Sequence, residues 1–303
     1  MLDGRVAIVT GAGRGLGRVE AIELARLGAS VVVNDLGVAA DGSGVDHEPA
    51  ESVVEEIRQA GGKAVPHYGD VADWNDSKAL LQKAISEFGD MHILLNNAGF
   101  CRDRMLFKMS EEEFDAVIRV HLKGHFCNMR HAAEYWRGKS KQAGGPIWGR
   151  LISTSSEAFL MGNSGQPNYA AAKAGIVAMT MEAARECIRW GVTANVICPR
   201  ARTRMIESSP WASIFAKPDE GFDHFAPENV TPIVAYLCSP HADNISGQVF
   251  IPFGKTVTVL SRPQKDNVFE SPEAWTIESL AAKLDPHFEK LEPVADGFAH
   301  PEA

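Results

Sequence analysis

The chain has 303 residues, 45% hydrophobic and 23% charged, the profile of a globular protein rather than a disordered or fibrous one. Its formal charge of −9 argues against a nucleic-acid surface, which needs a clustered basic face. No apolar run approaches the roughly 18 residues of a membrane span. Five cysteines (Cys101, Cys127, Cys187, Cys198 and Cys238) are odd in number, widely spaced and without a CxxC pair. They predict reduced thiols in a cytoplasmic enzyme, with neither a disulfide framework nor a metal site.

From the start the chain reads as a strand, Val6–Thr10, which leaves no room for a signal peptide. Strand-like runs then alternate with helix-length segments, the pattern of βαβ units and a parallel sheet. Strands are predicted at Val6–Thr10, Ser30–Asn34, Lys63–His67, His92–Asn96, Gly149–Ser153, Thr193–Cys198 and Gln248–Ile251. Helices are predicted between them at Gly15–Leu27, Ala50–Ala60, Asp73–Phe88, Glu111–Arg137, Asn168–Trp190 and Asn229–Leu237. Runs such as Val31-Val32-Val33 and Ile93-Leu94-Leu95 suit strands buried on both faces. The expected fold class is therefore α/β: a single doubly wound, Rossmann-type parallel sheet with helices on both faces.

Three segments fall outside this alternation. Leu36–Pro49 is a long Gly-, Ala- and Asp-rich loop after the second strand. Residues 200–227, with Trp211, Phe215 and Phe222, follow a strand's C-terminal end and suit a substrate lid. The expected division is a dinucleotide-binding and catalytic domain over 1–254 and a C-terminal extension over 255–303. Within the extension, Trp275–Leu284 has the spacing of a short amphipathic helix that packs on its own or a partner subunit.

Three motifs carry chemistry. Thr10-Gly11-Ala12-Gly13-Arg14-Gly15-Leu16-Gly17 joins the first strand to the first helix. Glycines there allow a tight turn and close approach of a pyrophosphate to the helix N-terminus. Asn96-Asn97-Ala98-Gly99 ends the fourth strand. Tyr169 and Lys173 lie four residues apart, on one face of a helix. An ammonium beside a phenol favours phenolate, so Tyr169 is expected to lose its proton below the usual value of about 10. A phenolate can take a proton from an alcohol, and a phenol can return it to a carbonyl.

Taken together and in this order, the motifs resemble the short-chain dehydrogenase/reductase family, whose TGxxxGxG spacing differs from the more widespread GxGxxG. The resemblance implies catalytic Ser156, thirteen residues before Tyr169, with Tyr169 and Lys173. It also implies cofactor contacts from Gly11, Arg14, Gly15, Leu16, Gly17, Asp35, Asp70, Val71, Asn97, Ala98, Gly99, Tyr169, Lys173 and Thr203. Asp35, after the second strand, suits both ribose hydroxyls of NAD and would repel the 2′-phosphate of NADP. His121 stands where the family has a fourth catalytic asparagine: either it joins a proton relay toward Lys173, or it only packs. Pro199-Arg200 stands where most members have Pro-Gly.

Within the family the chain is most similar to the (3R)-hydroxyacyl-CoA dehydrogenase domain of peroxisomal multifunctional enzymes and to bacterial relatives of steroid and lipid catabolism. The shared marks are Val33-Asn34-Asp35-Leu36-Gly37, Val53-Val54-Glu55-Glu56-Ile57-Arg58, Arg102-Asp103-Arg104, Val120-His121-Leu122-Lys123-Gly124 and Gly162-Asn163-Ser164-Gly165-Gln166. They span roughly the first 205 residues. The expectation is an NAD-dependent enzyme that oxidises a 3-hydroxyacyl-CoA. The alternatives are a hydroxysteroid dehydrogenase, a 3-oxoacyl reductase, or, in a different class, a non-catalytic dinucleotide sensor or scaffold. Arg200, Arg202 and Arg204 are expected to meet coenzyme A phosphates rather than pair with Glu207, Asp219 or Glu220. A homodimer or homotetramer is expected, because Ile176, Met179 and Met181 exceed what one sheet face can cover.

Overall fold

The computed structural model describes residues 1–39, 42–203, 213, 215–262, 265 and 267–290. They fall into two compact units, Met1–Val259 and Leu260–Ala303. The first unit is built on one sheet of β1 (Val6–Thr10), β2 (Ser30–Asn34), β3 (Lys63–His67), β4 (Ile93–Asn96), β5 (Gly149–Thr154), β6 (Val192–Ile197), β7 (Val249–Phe253) and β8 (Thr256–Val259). The spatial order is β3-β2-β1-β4-β5-β6-β7-β8. Strands β1 to β7 are parallel, and β8 folds back antiparallel on β7, with Phe253 opposite Thr256. Chain order reverses between β1 and β4, so the crevice above their C-terminal ends is where an α/β sheet of this kind takes its ligand.

Successive side chains of a strand point to opposite faces, and the core divides accordingly. On one face Ala7, Val9, Val31, Val33 and Leu95 pack with Leu24 of α1 (Gly15–Arg26), Val53 and Ile57 of α2 (Glu48–Gln59) and Val234 of α8 (Thr231–Leu237). On the other, Ile8, Val32, Leu94 and Leu151 pack with Leu80 of α3 (Trp74–Phe88), Trp136 of α5 (Gly124–Ala143) and Cys187 of α7 (Pro167–Cys187). Helix α3 starts at Asp73, whose side chain accepts from the Asn75 and Asp76 backbone N–H groups, and stops at Gly89 in the left-handed region.

The helix predicted over Glu111–Arg137 is interrupted. α4 (Glu111–Ile118), started by a Ser110–Glu113 capping box, gives way to a π-helical turn at Arg119–Lys123 before α5 begins. Sequence periodicity over the whole stretch is close to helical, so the extra residue of the π turn leaves no mark in the apolar pattern. Two elements had no sequence expectation: the short α6 (Ala158–Met161) and β8, which carries the sheet on to Val259. β8 is a four-residue Thr-Val-Thr-Val edge, too short and too exposed to show a core-facing alternation. The second unit holds α9 (Ile277–Phe288), opened by a Thr276–Ser279 capping box and without a buried residue. No helix among the described residues is long and apolar enough to cross a membrane.

Candidate active site

A cleft of about 360 Å³ opens above the β1/β4 crossover. Gly11, Arg14, Gly15, Leu16, Asp35, Asp70, Val71, Asn97, Ala98, Gly99 and Thr203 line it. Gly17 lies beneath the turn instead: a Cβ there would sit 2.3 Å from the Gly11 carbonyl oxygen and 2.6 Å from Asn97 Nδ2. Gly11 (φ 64) is held equally closely, 2.7 Å from the Ala98 Cα. These approaches require glycine, because the colliding atoms are mostly backbone. The floor is tied across the sheet, with Asn97 N donating to Thr10 Oγ1 at 3.0 Å and Asn97 Nδ2 to the Thr10 carbonyl at 3.3 Å. Above Gly15 a side chain would meet open space, and α1 begins at Arg14 without a side-chain cap or a first-turn acid. Free N–H groups at the positive end of a helix, beside an open cleft, fit a pyrophosphate.

At the adenosine end, Asp35 Oδ2 accepts from the Gly13 N–H and Oδ1 from the Gly37 N–H, both at 2.7 Å. Arg14 lies 3.6 Å from Asp46 and Arg18 lies 2.5 Å from Glu56, so both guanidiniums already have carboxylate partners. Asp70 pairs with Arg119 at 2.6 Å. The loop after β2 closes over this end: Gly37 abuts the Asp46 backbone, Gly42 abuts the Phe100 ring, and Val38, Ala39, Gly42 and Gly44 line the cleft. Phe100, Arg119 and this loop were not read as site residues from the sequence. Only the loop's glycine content hinted at such close contacts.

Tyr169, Lys173, Ser156 and His121 are not among the residues that line this cleft; His121 lies against Gly99 of its floor. Asn168 sets the start of α7, with Nδ2 donating to the Arg102 and Glu113 carbonyls at 2.9 and 3.1 Å. Tyr169 and Lys173 then share one helical face, the ammonium 5.3 Å from the phenol ring centroid. Lys173 Nζ donates to the Thr154 carbonyl at 2.7 Å, and Ser155 Oγ donates to the Lys173 carbonyl at 2.9 Å. The serine beside Ser156 thus braces α7 rather than facing substrate. Ser156 Oγ accepts from the Ala158 N–H at 3.2 Å and is near enough to the Tyr169 hydroxyl to favour its ionised form.

Burial dominates the electrostatics. It pushes the Tyr169 phenol up, with Ser156 pulling weakly the other way, and brings Lys173 down to about 8. The downward shift expected for Tyr169 is therefore not a property of the free chain. The ammonium is spent on the Thr154 carbonyl and is itself desolvated, so it does not offset the cost of a buried phenolate.

His121 is buried, at 1% exposure, and burial with Lys173 nearby holds it well below its ordinary pKa, hence neutral. Its Nε2 lies 2.7 Å from the Phe100 carbonyl oxygen and 3.2 Å from the Phe100 backbone nitrogen, donating to the first or accepting from the second according to tautomer. Nδ1 has no partner. The ring stands edge-on to Tyr169, with centroids 5.2 Å apart and planes at 88°. It also occupies the space a Cβ on Gly99 would need, at 2.0 Å. One turn on, His125 is equally buried, brought down to about 3 by desolvation, with Nε2 unpartnered. Sequence reading passed over His125, although its spacing from His121 places both on one helical face.

The arginines after β6 correct another expectation. Arg200 makes a two-pronged ion pair with Glu157 (2.5 and 2.7 Å). Arg202 pairs with Asp223 and donates to the Phe215 carbonyl. Neither guanidinium is available for a phosphate, because the chain supplies its own acids. The partners are Glu157 and Asp223 rather than those weighed from sequence. Arg204, Glu207 and Trp211 lie outside the described residues. Cys127, Cys187, Cys198 and Cys238 are buried, Cys101 is half-buried, and none of the five is in a disulfide.

Comparison with known proteins agrees with this geometry. The chain is 49% identical over 298 residues to the hydroxyacyl-CoA dehydrogenase ChsB1 of Mycobacterium tuberculosis, covering 96% of this chain and 91% of that protein. It is 44% identical over 236 residues to the peroxisomal multifunctional enzyme type 2 of Drosophila melanogaster, covering 78% of this chain and 37% of that longer protein. The crystal structure of a short chain dehydrogenase from Mycobacterium avium aligns with a TM-score of 0.84 at 46% identity, covering 96% of this chain and 97% of that one. The family model for short chain dehydrogenases matches residues 5–210. With the glycine turn and the floor segment lining one crevice and Tyr169 and Lys173 on one face of α7, this chain belongs to the short-chain dehydrogenase family.

Proposed function

We propose that the protein oxidises the hydroxyl of a 3-hydroxyacyl-CoA to the ketone, with NAD as cofactor. The observation that carries this reading is the Ser156–Tyr169–Lys173 group at the sheet's C-terminal edge, with Lys173 buried and Ser156 and Tyr169 half-buried, beside a cleft that fits a dinucleotide. When bound, oxidised nicotinamide supplies the hydride acceptor. Asp35 receives the adenosine ribose, and the N–H groups of the glycine turn and the first turn of α1 receive the pyrophosphate. Asp70-Val71 borders the adenine, Asn97-Ala98-Gly99 forms the floor, and Thr203 closes the far side. Ser156 holds the substrate oxygen, Tyr169 takes its proton, and Lys173 both binds ribose and holds the Tyr169 side of α7 in place. His121, neutral and edge-on to Tyr169, would support the relay by which the proton taken up by Tyr169 leaves past Lys173.

The substrate class is supported by the hydroxyacyl-CoA dehydrogenase relatives and by the motifs shared with the multifunctional enzymes, not by the arginines after β6. The test is NADH formation followed at 340 nm with a 3-hydroxyacyl-CoA, its free acid and a steroid alcohol. The thioester is expected to give the highest kcat/KM by at least tenfold, and Tyr169→Phe to lower kcat by about 10³-fold with cofactor affinity unchanged. A better rate on free steroid alcohols overturns the substrate reading. Substantial activity in Tyr169→Phe overturns the mechanism.

A further inference from the structure

The turn that carries Ser156 is anchored on one side of the serine by Ser155 and on the other by Glu157. It runs from the end of β5 into α6, which is only four residues long and ends at Gly162 (φ 60). A helix of one turn is not self-supporting. Ser155 ties the start of the turn to β6 and α7, its N–H donating to the Ile197 carbonyl at 2.7 Å and its hydroxyl to the Lys173 carbonyl at 2.9 Å. Beyond Ser156 the backbone bonds, such as Phe159 N to the Ser156 carbonyl (3.2 Å) and Leu160 N to the Glu157 carbonyl (2.9 Å), are internal to it. On that far side of the serine, Glu157 supplies the side-chain tie to the rest of the fold. Its side chain is 6% exposed and takes both prongs of Arg200, the strongest form of side-chain ion pair. Arg200 is fixed in turn: its N–H donates to the Pro252 carbonyl at 3.1 Å and its guanidinium lies 5.5 Å from the Phe253 ring centroid. Phe253 also packs against Phe225, at 5.1 Å between centroids, and the Phe225 carbonyl accepts from the Arg202 N–H at 2.7 Å. One chain of contacts thus runs from the residue after the serine, through Arg200, to both ends of the segment between β6 and α8.

We propose that Glu157 is a positioning residue for Ser156, held by Arg200 in the place where the family's Pro-Gly has no side chain to offer. The inference rests on Ser156 contacting the substrate oxygen. Loss of the pair leaves the proton-transferring phenol intact but lets the serine hydroxyl drift, and a displacement of about 1 Å costs on the order of 10²-fold in rate.

The experiment is a set of variants on the full-length enzyme, measured for kcat, KM, cofactor affinity by fluorescence, and Tm. Glu157→Gln is expected to lower kcat by about 10- to 100-fold without changing cofactor affinity, and to add almost nothing on a Ser156→Ala background. Arg200→Lys, which keeps the charge but only one prong, is expected to fall between. The decisive variant is Glu157→Gln/Arg200→Met. With neither charge left buried alone, its Tm returns toward that of the wild type, while kcat stays low because the tether is gone. Recovery of kcat along with Tm overturns the proposal, as does a full loss from Glu157→Gln on the Ser156→Ala background. Wild-type turnover of a simple secondary alcohol but of no hydroxyacyl-CoA would sink the substrate reading instead, and the same comparison then runs on that alcohol.

Discussion

We propose that Asp35 sets cofactor choice through charge. Its carboxylate is docked on the glycine turn by two backbone N–H groups, and the arginines that could rescue a 2′-phosphate are paired with Asp46 and Glu56. A phosphate placed beside Asp35 would meet a like charge without compensation. Asp35→Ser is expected to weaken NAD binding and narrow its preference over NADP by tenfold or more, measured by fluorescence titration of both. Equal binding of the two cofactors by the unmodified protein would remove Asp35 from this role. His121 is tested by substitution: His121→Ala is expected to slow turnover and alter the pH–rate profile, and His121→Asn to restore part of the loss. Identical kinetics in the alanine variant would leave the ring a packing group. Asp35, Ser156, Tyr169 and Lys173 could be proposed from the sequence because they sit at fixed offsets in short motifs. His125 and Glu157 belong to no motif; only burial and partners reveal them.

At the level of elements, α1 carries a conflict. Glu20 is buried in it with both carboxylate oxygens unpartnered, and desolvation pushes it up to about 8. Its folded pKa therefore exceeds the ordinary 4.5. The folded chain binds a proton there that the unfolded chain has released, so the stabilisation is complete below about 4.5 and is lost as pH rises through about 8. Glu20→Met, of similar shape, is expected to raise stability by roughly 1–3 kcal/mol at pH 8, with a smaller gain at pH 5, by urea denaturation at both. A gain independent of pH would mean that the carboxyl is not the cause. The strands, by contrast, were readable almost to the residue, because a sheet covered on both faces demands continuous apolar runs. The π turn at Arg119–Lys123 and the edge strand β8 were not. One is set by how His121 seats under Gly99, the other by a hairpin that buries little.

For the whole molecule, the sequence argument for association needs revision. Ile176 lies in the chain's own core, and Met179 and Met181 are half-buried. What α7 exposes instead is Ala171, Ala174 and Ala178, spaced along one face, while Phe114 and Phe126 are exposed on α4 and α5. A face of small residues lets two helices approach closely. A dimer or tetramer is still the expectation, with Ala174→Glu shifting the solution mass at micromolar concentration toward the monomer. A monomeric wild-type protein would end it.

The order of the strands also bears on when the cofactor can begin to matter. β1 lies in the middle of the sheet, and the glycine turn that follows it rests on Asn97 and Ala98, more than eighty residues further along the chain. A nascent chain that has made only β1, β2 and β3 owns the turn but not the floor beneath it. Pairing so distant in sequence closes late, since loop entropy must be overcome first. Dinucleotide is therefore expected to raise Tm by mass action on the finished protein while leaving the early phases of refolding at their unliganded rates.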